Sequence, residues 1–284
     1  MKPKAEEIDN QVQDRNPGVE YKMDPEPEVV RKGYRGSGKL EGKVAIITGG
    51  DSGIGRSVAV HFAMEGADVA IVYLDETKDA ETTKKMVEAQ GRRCLLFPGD
   101  QGDSSFCDYV VKETVAQLGG LNCLVNNAAF QDQIKDFTEI SDEHWRKTFR
   151  TNVDGYFFFA RAAMPHLGKG DTIINTSSIN AFVGKGSMLD YSSTKGANLA
   201  FSRSLADVYT PKGIRVNTVA PGPIWTPFIP GGMTNTENFG KEVPMGRPGQ
   251  PSELGPAYVF LASDDSSYIA NQTIHINGGV PVGG

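Results

Sequence analysis

The sequence predicts a doubly wound α/β domain, one parallel sheet of about seven strands with helices on both faces. Three observations carry this. From Lys43 onward, short runs rich in Val and Ile alternate with helix-length amphipathic stretches, the pattern of a parallel sheet covered on both sides. The first run leads directly into a glycine-rich turn and a helix. The 284 residues are 39% hydrophobic and 23% charged, enough apolar material for a sizeable core.

The expected strands are Val44–Thr48, Val69–Tyr73, Arg93–Phe97, Cys123–Asn126, Thr172–Thr176, Arg215–Val219 and Gln272–Ile276. Helices are expected near 54–65, 77–90, 104–118, 142–167, 190–209 and 251–263. Right-handed crossovers join such strands into one sheet, so residues 38–284 read as a single domain. Residues 1–37 differ. They hold seven basic and eight acidic residues, four prolines, and no Leu, Phe or Trp. Such a segment builds no core of its own. It is either a disordered tail or an arm laid across the domain or a neighbouring subunit, with Tyr21, Met23, Val29 and Val30 available as anchors. Ala220 to Pro251 is a second loop-rich region, with seven of the sixteen prolines.

Composition excludes several classes. A net charge of −6 favours neither nucleic acid nor an anionic membrane as partner. The longest apolar run, Val69 to Leu74, is far short of the roughly 20 residues that span a bilayer. Three scattered cysteines (Cys94, Cys107, Cys123) suggest no disulfide scaffold, and with the four histidines they form no metal-ligand cluster. The N-terminus lacks the apolar stretch of a secretory signal. A cytoplasmic protein without a metal is the expectation.

Two sets of residues point to chemistry. In Gly49-Gly50-Asp51-Ser52-Gly53-Ile54-Gly55, glycines let the backbone turn sharply and approach a phosphate, and the helix entrance supplies N–H groups for it. Strand before and helix after is the context of a dinucleotide-binding turn. Further along, Tyr191 and Lys195 are four residues apart at the start of a helical stretch and share one face. A nearby ammonium lowers a phenol's pKa by about 1–3 units, which fits the pair to exchange a proton with an alcohol or carbonyl oxygen. Ser178 ends the fifth strand at the carboxyl edge, where open α/β sheets bind ligands. Its hydroxyl is suited to hydrogen-bond a substrate oxygen.

Together these residues resemble the short-chain dehydrogenase/reductase family over about residues 40–280. The resemblance rests on Thr48-Gly-x₃-Gly-x-Gly55, Asn126-Asn127-Ala128-Ala129, Asn152, Ser178, Tyr191-x₃-Lys195 and Pro221-Gly222, in the family's order. The N-terminal arm, the Gly-Gly-Asp-Ser-Gly-Ile-Gly turn and Tyr73-Leu74-Asp75-Glu76 resemble the branch of glucose/ribitol dehydrogenase homologues, general stress proteins and aldehyde reductases. The resemblance implies a Rossmann-type fold and a catalytic set of Asn152, Ser178, Tyr191 and Lys195. Tyr191 would be the acid/base. Lys195 would lower its pKa and bind the nicotinamide ribose, Ser178 would orient substrate, and Asn152 would hold a water in the proton relay. It further implies a cofactor wall of Gly49, Asp51, Ser52, Gly53, Ile54, Gly55, Tyr73, Leu74, Asp75, Asp100, Gln101, Asn127, Ala128, Ala129, Pro221, Gly222, Ile224 and Thr226.

A carboxylate after the second strand suits the ribose hydroxyls of NAD, whereas a basic residue accepts the 2′-phosphate of NADP. Asp75 and Glu76 follow Tyr73 closely, and no Arg or Lys lies inside the turn, so NAD is expected over NADP. Asn180, Phe182, Met188, Trp225 and Phe228 are candidate walls for a small alcohol or carbonyl substrate, with a loop at 224–246 to close over it. The resemblance also suggests a homotetramer through the helices at 104–118 and 142–167, where the run Tyr156-Phe157-Phe158-Phe159 offers more rings than one core needs. Two other activities fit the same residues: a 3-oxoacyl or steroid-type reductase, and a redox sensor that holds NAD without turnover.

Overall fold

A computed structural model of the chain describes residues 8–282. Seven parallel strands form one sheet: β1 (Val44–Thr48), β2 (Asp68–Tyr73), β3 (Cys94–Pro98), β4 (Cys123–Asn126), β5 (Thr172–Thr176), β6 (Arg215–Pro221) and β7 (Thr273–Ile276). Their spatial order is β3-β2-β1-β4-β5-β6-β7. The order reverses between β1 and β4, and that switch point opens a crevice at the carboxyl ends of the strands. The doubly wound α/β architecture expected from the sequence is therefore present.

The strands alternate their side chains between two cores. Ala45, Ile47, Val69, Ile71 and Tyr73 face one layer. It is closed by α1 (Gly53–Met64), α2 (Thr77–Glu88) and α9 (Gly255–Ala262) through residues such as Phe62, Val87 and Leu261. Val44, Ile46, Ala70 and Val72 face the other. There α3 (Ser104–Leu118), α5 (Gly155–Ala163) and α7 (Leu189–Tyr209) pack through Val110, Phe159 and Ala206. Local signals set the helix ends. Asp103 caps α3 by accepting from the Ser105 and Phe106 N–H groups, and α3 stops at left-handed Gly119.

The continuous helix expected over 142–167 is broken. α4 (Asp142–Phe149) passes into a π-helical turn at Arg150–Asp154, then α5, then a 3₁₀ turn at Met164–His166. A π turn adds a residue to the helix and rotates the turns beyond it; the apolar period alone does not reveal it. Short α6 (Asn180–Val183) and α8 (Phe228–Gly232) lie in the loops after β5 and β6. Of the aromatic run, Tyr156 and Phe159 are fully buried and Phe158 is partly so, while Phe157 is 45% exposed.

Residues 8–25 lie across the carboxyl edge of the sheet, and residues 29–37 run along α1 to Glu65 at its C-terminus. Ile8 and Met23 pack with Trp225 and Ile229, Val29 and Val30 lean on the first core, and the Trp225 indole N–H donates to the Pro25 carbonyl at 2.8 Å. Tyr21 stays 46% exposed beneath the Lys78 ammonium.

Helices α1 and α9 pack closely because α9 begins with glycine. A Cβ on Gly255 would lie 2.3 Å from His61 Nδ1 on α1, and that ring is fully buried. Gly255→Ala is expected to lower unfolding free energy by about 1–3 kcal/mol, the usual cost of overpacking, as measured by urea denaturation.

Candidate active site

The glycine-rich turn follows from two close approaches. Gly49 (φ +64°) and Gly53 (φ +51°) occupy the left-handed region, which side chains rarely adopt. A Cβ on Gly49 would press on Ala128, and one on Gly53 on Thr226. The turn is thus clasped between the loops after β4 and β6. Thr48 links it to β4, its Oγ1 accepting from the N–H groups of Asn127 (2.9 Å) and Ala128 (3.0 Å).

Beyond β5, Ser178 and α7 meet. Tyr191 and Lys195 occupy one face of α7, one turn apart, both buried. The neighbouring Ser178 hydroxyl favours the ionised phenol of Tyr191, but burial outweighs it and pushes Tyr191 up to about 12. Burial pushes the Lys195 ammonium down to about 7. Its Nζ donates to the Thr176 carbonyl (2.9 Å) and the Tyr156 hydroxyl (3.3 Å). The Tyr156 hydroxyl in turn donates to the same carbonyl at 3.1 Å. The ammonium lies 5.3 Å and 5.5 Å from the ring centroids of Tyr156 and Tyr191. The lowered Tyr191 pKa expected from the sequence is therefore absent in this arrangement. Lys195 spends its donors on other oxygens, and the dry surroundings disfavour both charges.

Asn152 occupies the π turn. Its Nδ2 donates to the Phe130 carbonyl (2.8 Å) and Thr194 Oγ1 (3.0 Å), and its Oδ1 accepts from the Phe130 N–H (2.7 Å). It thereby ties the loop after β4 to the helix carrying Tyr191. Gln101 makes a parallel tie, donating to the carbonyls of Ala128 and Thr151. Asn126, Asn175 and Ser202 form a buried hydrogen-bonded chain beneath.

These elements enclose a cleft of about 770 Å³, within the range of small-ligand and cofactor sites. Gly49, Asp51, Ser52, Gly53, Ile54, Tyr73, Leu74, Asp100, Gln101, Asn127, Ala128 and Ala129 line one end. Ser178, Tyr191, Lys195, Pro221, Gly222, Ile224 and Thr226 line the other. Three expected residues are not on its wall. Gly55 is pressed against the Gly49 carbonyl, where a Cβ would come within 1.9 Å. Asn152 is buried behind the wall. Asp75 points outward with its side chain 65% exposed, while Glu76 takes the lining position. Among the substrate-wall candidates, Asn180, Met188 and Phe228 line the cleft. Trp225 is fully buried beneath residues 8–25 instead, and Phe182 meets His275 edge to face.

Sequence reasoning missed Tyr156, whose role needs the three-dimensional meeting of α5 and α7. It also missed Asn16, Pro17 and Gly18, which line the cleft; no motif marks them. The residues present fit a dinucleotide. A cleft begins at a close-approach glycine turn with a helix N-terminus, where Glu20 takes the Gly53 N–H and the next N–H groups have no intrahelical acceptor, and ends at a phenol, a hydroxyl and an ammonium.

This glycine turn, with its Ser–Tyr–Lys group at the far end of one cleft, defines a dinucleotide-dependent oxidoreductase fold. The chain belongs to the short-chain dehydrogenase/reductase family. The family model described as "Enoyl-(Acyl carrier protein) reductase" matches residues 49–281. General stress protein 39 of Bacillus subtilis (strain 168) is 52% identical over 275 residues, covering 96% of each chain. Glucose and ribitol dehydrogenase of Daucus carota is 48% identical, covering 96% of this chain and 97% of that one. Among solved structures, a short chain dehydrogenase from Burkholderia cenocepacia J2315 in complex with NADP superposes with a TM-score of 0.79 at 29% identity, covering 85% of this chain and 98% of that one. One from Mycobacterium paratuberculosis bound to NAD gives 0.78 at 30% identity with the same coverage.

Proposed function

We propose that this chain interconverts an alcohol and a carbonyl on a small polyol, sugar or aldehyde, with a nicotinamide dinucleotide as redox partner. The observation that carries this reading is the convergence of Tyr191, Ser178 and Lys195 at one end of a cleft whose other end is the glycine turn. The bound nicotinamide accepts or donates the hydride. The protein's part is position and proton transfer. Tyr191 takes the proton of the alcohol, or returns one to the carbonyl oxygen. Ser178 holds the same oxygen. Lys195 supplies positive charge beside the phenol, and Asn152 fixes the loop and helix that frame them. The glycine turn and Asp100, Gln101, Asn127, Ala128 and Ala129 hold the adenosine half. Pro221, Gly222, Ile224 and Thr226 flank the nicotinamide.

Polar lining by Asn180, Lys185, Gln131 and Glu242 supports a hydroxylated substrate. Phe228, Ile229, Met233 and Phe239, which line the same cleft, support the second reading, an acyl or steroid-type carbonyl. The lining carboxylates Asp51 and Glu76 support NAD over NADP. The buried free thiols Cys94, Cys107 and Cys123 suit a reducing cytoplasm. Among the described residues no helix is long and apolar enough to cross a membrane. Residues 38–284 act as one catalytic domain and 1–37 as its extension.

Absorbance at 340 nm, followed with sugars, polyols and aldehydes and each cofactor in turn, tests the reading. Turnover is expected to fall by about 10²–10⁴-fold in Tyr191→Phe with cofactor binding retained, the usual contribution of proton transfer. Cofactor binding with no turnover on this panel or on acyl thioesters would favour the sensor instead.

Tyr156→Phe probes the ammonium's setting. Carbonyl reduction needs Lys195 charged. Its activity is therefore present below about pH 7 and lost as pH rises through that value in kcat/KM, which reports the free enzyme. Removing one acceptor of the ammonium, worth about 1.5 kcal/mol, should move that limb acid by about one pH unit. Superimposable profiles would end the assignment.

The exposed Phe157 on α5 and Tyr109 on α3 support assembly into a homotetramer through these helices. Sedimentation at micromolar concentration is expected to show four chains; a monomer would refute it.

A further inference from the structure

Asn16, Pro17 and Gly18 line the cleft, and the segment 11–20 that carries them is densely fixed. The Gln13 N–H donates to the Pro230 carbonyl at 2.7 Å. Asn16 Nδ2 donates to Gln131 O (2.5 Å) and Asp132 Oδ1 (2.7 Å). Gly18 lies so close to Pro227 that a Cβ would come within 2.3 Å of its carbonyl oxygen. Glu20 is buried. It accepts from the Gly53 N–H at 2.6 Å and pairs with buried Arg56.

Between these anchors sits Arg15. Its Nη2 donates to Asp75 Oδ1 (2.5 Å) and Glu76 Oε1 (2.9 Å), and its Nε donates to the Pro17 carbonyl (2.8 Å). Among the described residues, Nη1 makes no hydrogen bond. Asp75 and Glu76 are the carboxylates that follow β2, where an adenosine ribose seated on Tyr73 and Leu74 would present its 2′ position. Left alone, Asp75 repels a 2′-phosphate, and Glu76, which burial holds toward its neutral form, does so when ionised.

We propose that Arg15 is a cofactor-specificity residue: it neutralises Asp75 and Glu76 and offers its guanidinium to a 2′-phosphate, so that the site accepts NADP as well as NAD. This rests on reading the cleft as a dinucleotide site. The Asp75 partner is largely in water and the guanidinium is 35% exposed, so the exchange of a carboxylate for a phosphate needs no burial of new charge. A guanidinium suits phosphate because its planar fork donates two parallel bonds.

Calorimetric titration of the full chain with NADP⁺ and with NAD⁺, at one ionic strength, is the test. The wild type should bind both, with NAD⁺ ahead by no more than about tenfold. Arg15→Ala should weaken NADP⁺ by about tenfold or more, the equivalent of one charge-assisted bond, and NAD⁺ by less than threefold. Arg15→Lys should fall between, and Asp75→Asn in the Arg15→Ala background should restore NADP⁺. Gln13→Ala loosens the same segment without touching charge and should weaken both cofactors alike. A ratio unchanged in Arg15→Ala, or equal weakening of both cofactors as in Gln13→Ala, overturns the specificity role. Failure of the wild type to bind either dinucleotide overturns the reading beneath it as well.

Discussion

A buried ammonium at the carboxyl edge of the sheet governs this structure. Lys195 is 1% exposed, and a charge so placed is costly unless oxygens surround it. Two are supplied. The Thr176 carbonyl comes from the end of β5, where the strand's own pairing ends, and the Tyr156 hydroxyl comes from α5. The strand, the two helices and the π turn between α4 and α5 must therefore meet at one point. The same requirement explains why Tyr156 is fully buried with its hydroxyl pointing at the sheet edge. The opposed shifts of Tyr191 and Lys195 follow from one cause. Both lie in dry surroundings that favour their neutral forms, so a second charge arriving in the cleft would alter both together.

Much of this was legible in the sequence because it is written in local patterns. Alternating Val and Ile runs found all seven strands, with ends displaced by a few residues at most. The Gly49–Gly55 turn and the Tyr191–Lys195 pair lie where spacing put them. What stayed hidden was non-local. The π turn at Arg150–Asp154 keeps the apolar period of the helix it interrupts, so it looks like one helix, yet it buries Asn152 against Phe130 and Thr194. Trp225 looked like a pocket wall because it sits in a proline-rich loop after β6. Its indole is instead the floor on which residues 8–25 rest. The Asp75 carboxylate faces outward and Glu76 inward, a distinction set by the first residues after a strand, where alternation no longer applies.

Residues 8–37 show how a segment without a core of its own becomes ordered on another's. Its apolar residues are few, so the fixing is shared among backbone bonds, a tryptophan and ion pairs. The charges there form one connected group. Glu20, Asp51, Glu76 and Asp79 are all nearly buried, facing the two guanidiniums of Arg56 and Arg15. Burial pushes Glu20 up to about 7 and Asp51 up to about 6, and raises Glu76 as well. That is the mark of more carboxylates than the buried cations fully offset. The fold outside this segment supplies three of the carboxylates and only Arg56. Arg15 arrives with the extension, so the charge balance at the glycine-turn end of the cleft belongs to the whole chain and not to the family's common domain. An arm that brings a cation to a carboxylate-rich wall does more than cover it. It sets the potential that an incoming dinucleotide meets, which is why it bears on cofactor choice without lying at the reacting end.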